Sequence, residues 1–339
     1  MRAPRSLPAT IIYWVVVLLL CVAVGEASVR AWGFLPVYAF QAKGIPYTLR
    51  FKLDQDLLFQ FLPDPEHSIN SLGFRDRNFT VKDSARKRIL VVGDSFPAGL
   101  FVLPEETFPK RLQELVPSSE VLNLGVQGYG PDQELLVLRK YGAALKPDAV
   151  IWTIFPSNDY NDLIKNRLFT QSPNGELAAV KPNAVSAELP LLRSSMLVRF
   201  LLHKHFLPEE AEARLQPLLF VDSEAPAPVD AGTISLMREV AKNFKAEAAA
   251  LNTALLAVVI PSMEQSRQGA SADNSLNLAT VALLKESGIA VVDLSIAFAG
   301  HPEFYTAEDH HLSVAGHQAA AIQIAEQRGA TSASPLLTP

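Results

Sequence analysis

The sequence predicts an α/β fold: three αβα layers around a flavodoxin-like parallel sheet of about five strands, preceded by one N-terminal transmembrane helix. Two observations carry this. From residue 88 onward short apolar runs alternate with longer helical stretches, the pattern of a parallel sheet covered on both faces. Ahead of that series, an uncharged stretch from Pro8 to Gly25 comes near the lower limit of a spanning helix.

At the N-terminus Arg2 and Arg5 precede the apolar core Ile11 to Val24, with Tyr13 and Trp14 near its start. A cleaved signal peptide and a retained signal anchor both fit such a segment. Ala23-Val24-Gly25 is a poor cleavage site and the run is longer than an ordinary signal core, which favours the anchor. Leucine, not a small residue, precedes Cys21, so lipidation is not expected. Positive charge before the span sets residues 1–8 as a cytoplasmic tail and 9–25 as a single pass through the inner (cytoplasmic) membrane. The remainder then faces the periplasm or its equivalent.

Residues 26–87 read as an extracytoplasmic connector, in which Val29, Trp32 and Phe34 extend the helix and Tyr47 to Leu53 alternates like a strand. Asn70 to Arg75 reads as a turn, and the charged segment Lys82 to Lys87 marks a boundary. The main domain, 88–327, opens with strand Arg88–Val92, helix Phe108–Leu115 and strand Val121–Leu124. Helix Asp132–Leu145 and strand Ala149–Phe155 follow. After an insertion at 163–230 the series resumes as helix Ala231–Leu251, strand Ala254–Ile260, helix Leu276–Glu286, strand Ile289–Asp293 and helix Ser313–Gln327. The insertion holds many prolines and a helical patch from Leu191 to His205, with Leu192, Met196, Phe200 and Leu201 on one apolar face. It reads as a lid, a partner surface or an embellishment with its own small core. The tail 328–339 is expected to be disordered.

Composition narrows the function. Of 339 residues 49% are hydrophobic, ample for a proper core, and a net charge of −5 with both signs interspersed offers no basic field to attract nucleic acid. The single cysteine, Cys21, excludes a disulfide framework and a thiolate metal cluster. His301, His203, His205 and His317 lack metal-ligand spacing and read as surface or helix residues, so no metal or cofactor is expected.

Chemistry concentrates at two short segments. Gly93-Asp94-Ser95 directly follows the apolar run Ile89 to Val92, delivering a hydroxyl where a buried strand ends, and that is where open α/β proteins bind ligands. Taken alone, such a serine is more often a helix cap. No Gly-Lys-Ser/Thr follows it, the dinucleotide glycine spacing is absent, and Pro97 breaks a Gly-x-Ser-x-Gly elbow. Asp94 reads as a hydrogen-bonding group of the turn. Near the other end, Glu308-Asp309-His310-His311 supplies an acid and a base.

These segments belong to a set of four. The first is Gly93-Asp94-Ser95-Phe96; the second is Asn123 to Gly128, with Gly128 the best fit; the third is Pro156-Ser157-Asn158-Asp159; the fourth is Glu308 to His311 followed by Leu312, Ser313 and Gly316. In order and spacing they resemble the four blocks of the SGNH hydrolases, or GDSL esterase/lipase family, over about Arg88 to Gln327. Asn70 to Arg75 is similar to a segment of anchored bacterial members. The resemblance implies Ser95 as nucleophile, His311 as base, and an oxyanion hole from the Ser95 and Gly128 backbone N–H groups and the Asn158 amide. Glycine at 128 would spare the substrate carbonyl a crowding Cβ. Asp309 and Glu308 compete for the triad acid, with Asp309 preferred, and Pro156 departs from the glycine usual in the third block.

The expected function is therefore an extracytoplasmic serine esterase removing O-acyl, chiefly acetyl, groups from an envelope or exported polysaccharide. Its partners would be an acylated carbohydrate or other ester substrate and, through the N-terminal helix, the membrane. An O-acetyltransferase using the same triad, and a non-catalytic glycan-binding or assembly component, stand as alternatives.

Overall fold

The computed structural model describes residues 7–32, 37–42, 45–54, 56–180, 195–203, 229–269, 273–307 and 310–326. Two compact units divide the chain, one of Met1–Pro36 with Asn183–Ser223, the other of Val37–Pro182 with Glu224–Pro339. In the first, helix α1 (Leu7–Trp32) carries the apolar run and is the one described helix long and apolar enough to cross a membrane. The predicted patch in the insertion forms a helix over Met196–His203 in that same unit.

The second unit opens with an antiparallel sheet of β1 (Val37–Ala42), β2 (Ile45–Asp54) and β3 (Leu58–Phe61). Its central sheet is parallel and five-stranded: β4 (Lys87–Gly93), β5 (Ser119–Gly125), β6 (Ala149–Ile154), β9 (Ala254–Val259) and β10 (Ala290–Asp293). A small hairpin, β7 (Phe169–Gln171) with β8 (Leu177–Ala179), lies between β6 and β9 in sequence. In space the central order is β10-β9-β6-β4-β5, the doubly wound order whose connections reverse direction between β4 and β6. Each predicted strand is present, its ends displaced by a residue or two.

The helices, in chain order after α1, are α2 (Ser95–Ala98), α3 (Phe108–Leu115), α4 (Pro131–Leu145), α5 (Pro156–Asn166) and α6 (Met196–His203). Then come α7 (Ala231–Ala250), α8 (Met263–Gln268), α9 (Ser275–Glu286), α10 (Ser295–Phe298) and α11 (Val314–Glu326). Sequence periodicity missed α5, because polar Ser157, Asn158 and Asp159 open it and its apolar stripe is short.

Continuous apolar strands are explained by burial on both faces. Leu90 and Val92 of β4 join one core with Trp152, Leu138 and Phe244, while Ile89 and Val91 join the other with Phe108, Leu112 and Ile324. Leu57, Phe61, Ile69 and Phe74, from the segment read as a connector, belong to the first of these cores. The predicted tail 328–339 lies outside the described residues, as do Phe34 and His205.

Candidate active site

Strand β4 ends at Gly93, where a Cβ would fall onto Thr153 Oγ1 of the neighbouring strand, so only glycine lets the chain turn there. The turn that follows is α2, a single helical turn closed by Gly99 at φ 70°. Its cap is Asp94, whose carboxylate accepts the Phe96 N–H at 2.9 Å. Ser95 is thereby spared the capping role that its position suggested. Its buried hydroxyl instead meets His311, with Nε2 2.8 Å from Oγ.

The histidine comes from 216 residues further along. A turn delivers it: Thr306 N–H donates to His311 O at 2.7 Å and His310 N–H to Thr306 O at 3.1 Å. His310 takes φ 63° and is exposed, so of the two adjacent histidines only His311 faces Ser95. Its ring lies between two phenylalanines, centroids 5.2 Å from Phe96 and 5.5 Å from Phe101. Glu308 and Asp309, both candidate acids, lie outside the described residues.

On the other side of β4, Asn158 sits in the first turn of α5, just after β6. Its Nδ2 donates to Asp94 Oδ2 at 3.2 Å. Ser95 and Asn158 thus flank the crevice between β4 and β6, at the carboxyl ends of strands where the sheet order reverses. Gly128 follows β5 at φ 75°, a backbone state that favours glycine. A Cβ there would meet only Phe59 Cζ, at 3.7 Å, so within the protein conformation rather than crowding selects the residue. Phe59 is itself fixed by its carbonyl, which accepts the Tyr129 hydroxyl at 2.6 Å.

Beneath this surface lies a group of buried acids. Burial raises the Asp94 carboxyl above its ordinary range, with the Phe96 and Asn158 hydrogen bonds acting in the opposite sense. Burial likewise raises Glu134, with Asp94 nearby adding to the effect, and Asp159, with Glu134 and Asp94 adding to it. Glu134 accepts the Trp152 indole N–H at 2.6 Å and Asp159 accepts the Phe155 N–H at 2.7 Å, which pins the start of α5. Among the described residues no acid and histidine group is arranged to hold a metal.

Sequence reasoning missed Arg75. Wholly buried, it donates from Nη1 to Ala98 O at 3.1 Å and to Gly99 O, and from Nη2 to Val102 O at 2.9 Å, bracing the turn that carries Ser95. The next residue, Asp76, accepts from the Asn123 N–H at 2.8 Å and from Lys110. The local signals were the similarity of Asn70 to Arg75 to a segment of anchored family members and the adjacent charges Arg75-Asp76. His317, read as a surface or helix residue, is a helix residue turned into the core. It is buried in α11, its Nδ1 accepts the Phe108 N–H at 3.0 Å, and burial, with Arg75 and His311 nearby, pushes its pKa down to about 3.

A hydroxyl against an imidazole, next to a glycine turn and a primary amide, can carry out acyl transfer. Comparison with known proteins gives the same direction: the GDSL-like Lipase/Acylhydrolase family matches residues 91–319. No curated protein matches the sequence. Among solved structures, the lipase/acylhydrolase from Enterococcus faecalis is 16% identical with a TM-score of 0.41, over 71% of this chain and 94% of that one. TesA is 13% identical with a TM-score of 0.44, over 72% and 99%. An acetyl-xylooligosaccharide esterase from Geobacillus Stearmophilus is 14% identical with a TM-score of 0.41, over 72% and 94%.

Proposed function

Since the chain belongs to the GDSL-like lipase/acylhydrolase family, and is thus an ester hydrolase, we propose that it works outside the cytoplasmic membrane, removing O-acyl groups from an envelope or exported polysaccharide. Acetyl is the acyl group we favour. The observation that carries the chemistry is the 2.8 Å approach of His311 Nε2 to Ser95 Oγ.

In this reading neutral His311 takes the Ser95 proton as Oγ attacks the ester carbonyl carbon. The carbonyl oxygen becomes an oxyanion, received by the Ser95 and Gly128 backbone N–H groups and by Asn158 Nδ2. Collapse of the tetrahedral intermediate breaks the ester bond, and the departing sugar oxygen takes the proton from His311 and leaves as a hydroxyl. Water then enters, gives a proton to His311, and attacks the acyl-serine to release the carboxylic acid and restore Ser95. Asp309 or Glu308 would hold the imidazole in the tautomer that leaves Nε2 free to accept.

Location is supported by α1, whose stretch from Pro8 to Gly25 is uncharged and is preceded by Arg2 and Arg5. A carbohydrate substrate would meet half-buried Phe59 near Gly128 and half-buried Phe101 near His311. A serine-directed fluorophosphonate tests the nucleophile on the full chain in detergent. Labelling should require both Ser95 and His311, and labelling that survives Ser95→Ala overturns the assignment. Acetate release from acetylated envelope polysaccharide tests the substrate, and acetyl recovered on an added sugar rather than as acetate would make the protein a transferase.

A further inference from the structure

We propose that Gln133 is the positioning residue of the oxyanion hole: its buried amide ties the turn that carries Gly128 to the helix that carries Asn158. The proposal rests on the reading of Gly128 and Asn158 as oxyanion donors.

Gly128 hangs between two fixed residues. Upstream, the Val126 N–H donates to Gly93 O at 3.0 Å, so the turn starts from the end of the strand that delivers Ser95. Downstream, the Gly130 N–H donates to Gln133 Oε1 at 3.1 Å. Gly130 is the cap of α4, and a glutamine three residues on that reaches back to the cap N–H is a familiar way to start a helix. Gln133 does more than that, because it is wholly buried and uses the rest of its amide on two other elements.

Its Oε1 also accepts from Asn166 Nδ2 at 2.7 Å, and its Nε2 donates to Leu57 O at 2.6 Å. Asn166 is the last residue of α5, the helix whose first turn holds Asn158, about 12 Å back along the axis. Asn166 Nδ2 also donates to Asp132 Oδ1 at 2.9 Å, so both of its hydrogens are used. At the opposite end of α5 Asp159 accepts the Phe155 N–H, and the helix is thereby held at both ends. The turn and the helix also approach closely: a Cβ on Gly130 would lie 2.8 Å from Asp162 Cβ, which leaves room there for glycine alone.

Leu57, in the turn ahead of β3, anchors the arrangement. Its own N–H donates to Asp54 Oδ1 at 2.9 Å, and two residues later Phe59 O receives the Tyr129 hydroxyl. The three donors assigned to the oxyanion stand on a strand end, a turn and a helix, with nothing covalent to keep them in register. An oxyanion hole works by preorganisation, and a displacement of about 1 Å weakens it. Gln133 joins the turn to the helix and both to a fixed hairpin.

The test is hydrolysis of p-nitrophenyl acetate by the full chain in detergent. Gln133→Met keeps the length of the side chain and removes its hydrogen bonds. At a temperature where circular dichroism shows the variant folded, kcat should fall about 10- to 100-fold with KM within about twofold. In an Asn158→Ala background the same substitution should cost about threefold or less, since one of the two donors it places is already gone. A merely structural role would lower the active fraction alike in both backgrounds, so equal fold losses overturn the proposal. Asn166→Ala cuts the link from α5 to Gln133 and should lower kcat about tenfold at constant KM. If Gln133→Met does not fold, Asn166→Ala decides, and parent kcat in that variant overturns the tie. Parent kcat in Gln133→Met, with Asn158→Ala still costing about 10²-fold, overturns the proposal and keeps the oxyanion hole. Parent kcat in Asn158→Ala overturns both readings.

Discussion

Asn158 Nδ2 lies 3.2 Å from Asp94 Oδ2, so the amide proposed for the oxyanion hole is tied to the residue that precedes Ser95. An amide nitrogen carries two hydrogens, and the bond to Asp94 uses one, which orients the other. Asp94 also caps α2, so a single buried carboxyl positions both sides of the crevice. Asp94→Asn keeps an oxygen for the Phe96 cap but can set a donor against Asn158. We expect melting to change little and kcat to fall about tenfold, while Asn158→Ala costs about 10²- to 10³-fold. The double variant should lose no more than Asn158→Ala alone, because the two act through one amide. Additive losses would show that Asp94 acts elsewhere.

Ser95→Ala should lower ester cleavage by about 10⁴-fold or more. Thermal unfolding should be nearly unchanged, since among the described residues the hydroxyl meets His311 and, at 3.5 Å, Asp94. Ester turnover by the variant close to the parent value would remove Ser95 from the mechanism.

Glu308→Gln and Asp309→Asn, made separately, identify the acid. Only the residue that orients His311 should cost on the order of 10⁴-fold in kcat. We expect Asp309 to be that residue, and a large loss confined to Glu308→Gln would reverse the choice.

Arg75→Lys replaces a planar fork serving three carbonyls with a point charge. Unsatisfied buried carbonyls should cost about 2 to 4 kcal/mol in chemical denaturation. At temperatures where the variant stays folded, kcat should fall by about tenfold with KM nearly constant, because the brace holds Ser95 rather than the substrate. An equal change in KM would instead place Arg75 in binding.

Burial holds the Asp132 carboxyl up at about 7, with hydrogen bonds from Asn166 and the Gln133 and Leu168 backbone acting in the opposite sense. A carboxyl raised in the folded state keeps a proton that the unfolded chain has released, so its contribution to stability falls as pH rises from about 4 to about 7 and is level above. The full effect is on the order of 4 kcal/mol at most. Asp132→Asn removes this dependence: relative to the parent, the variant should gain stability at about pH 8 compared with about pH 5. Parallel stability profiles for the two proteins across that range would show that Asp132 ionises freely.

The sequence by itself determined the strands of the central sheet, most helices, the apolar N-terminal segment and four short blocks of chemical residues. Apolar runs and helical spacing are local, and the strand run Ile89 to Val92 announces burial on both faces without reference to any other segment. Tertiary structure decided what those blocks do together. Strand order set Ser95 and Asn158 on either side of the reversal between β4 and β6, and a turn with His310 at φ 63° brought His311, rather than its neighbour, to the hydroxyl. It also gave the helix cap to Asp94 and not to Ser95. Arg75 was illegible for the same physical reason: its partners are carbonyls more than twenty residues away, and a backbone carbonyl leaves no mark in a sequence.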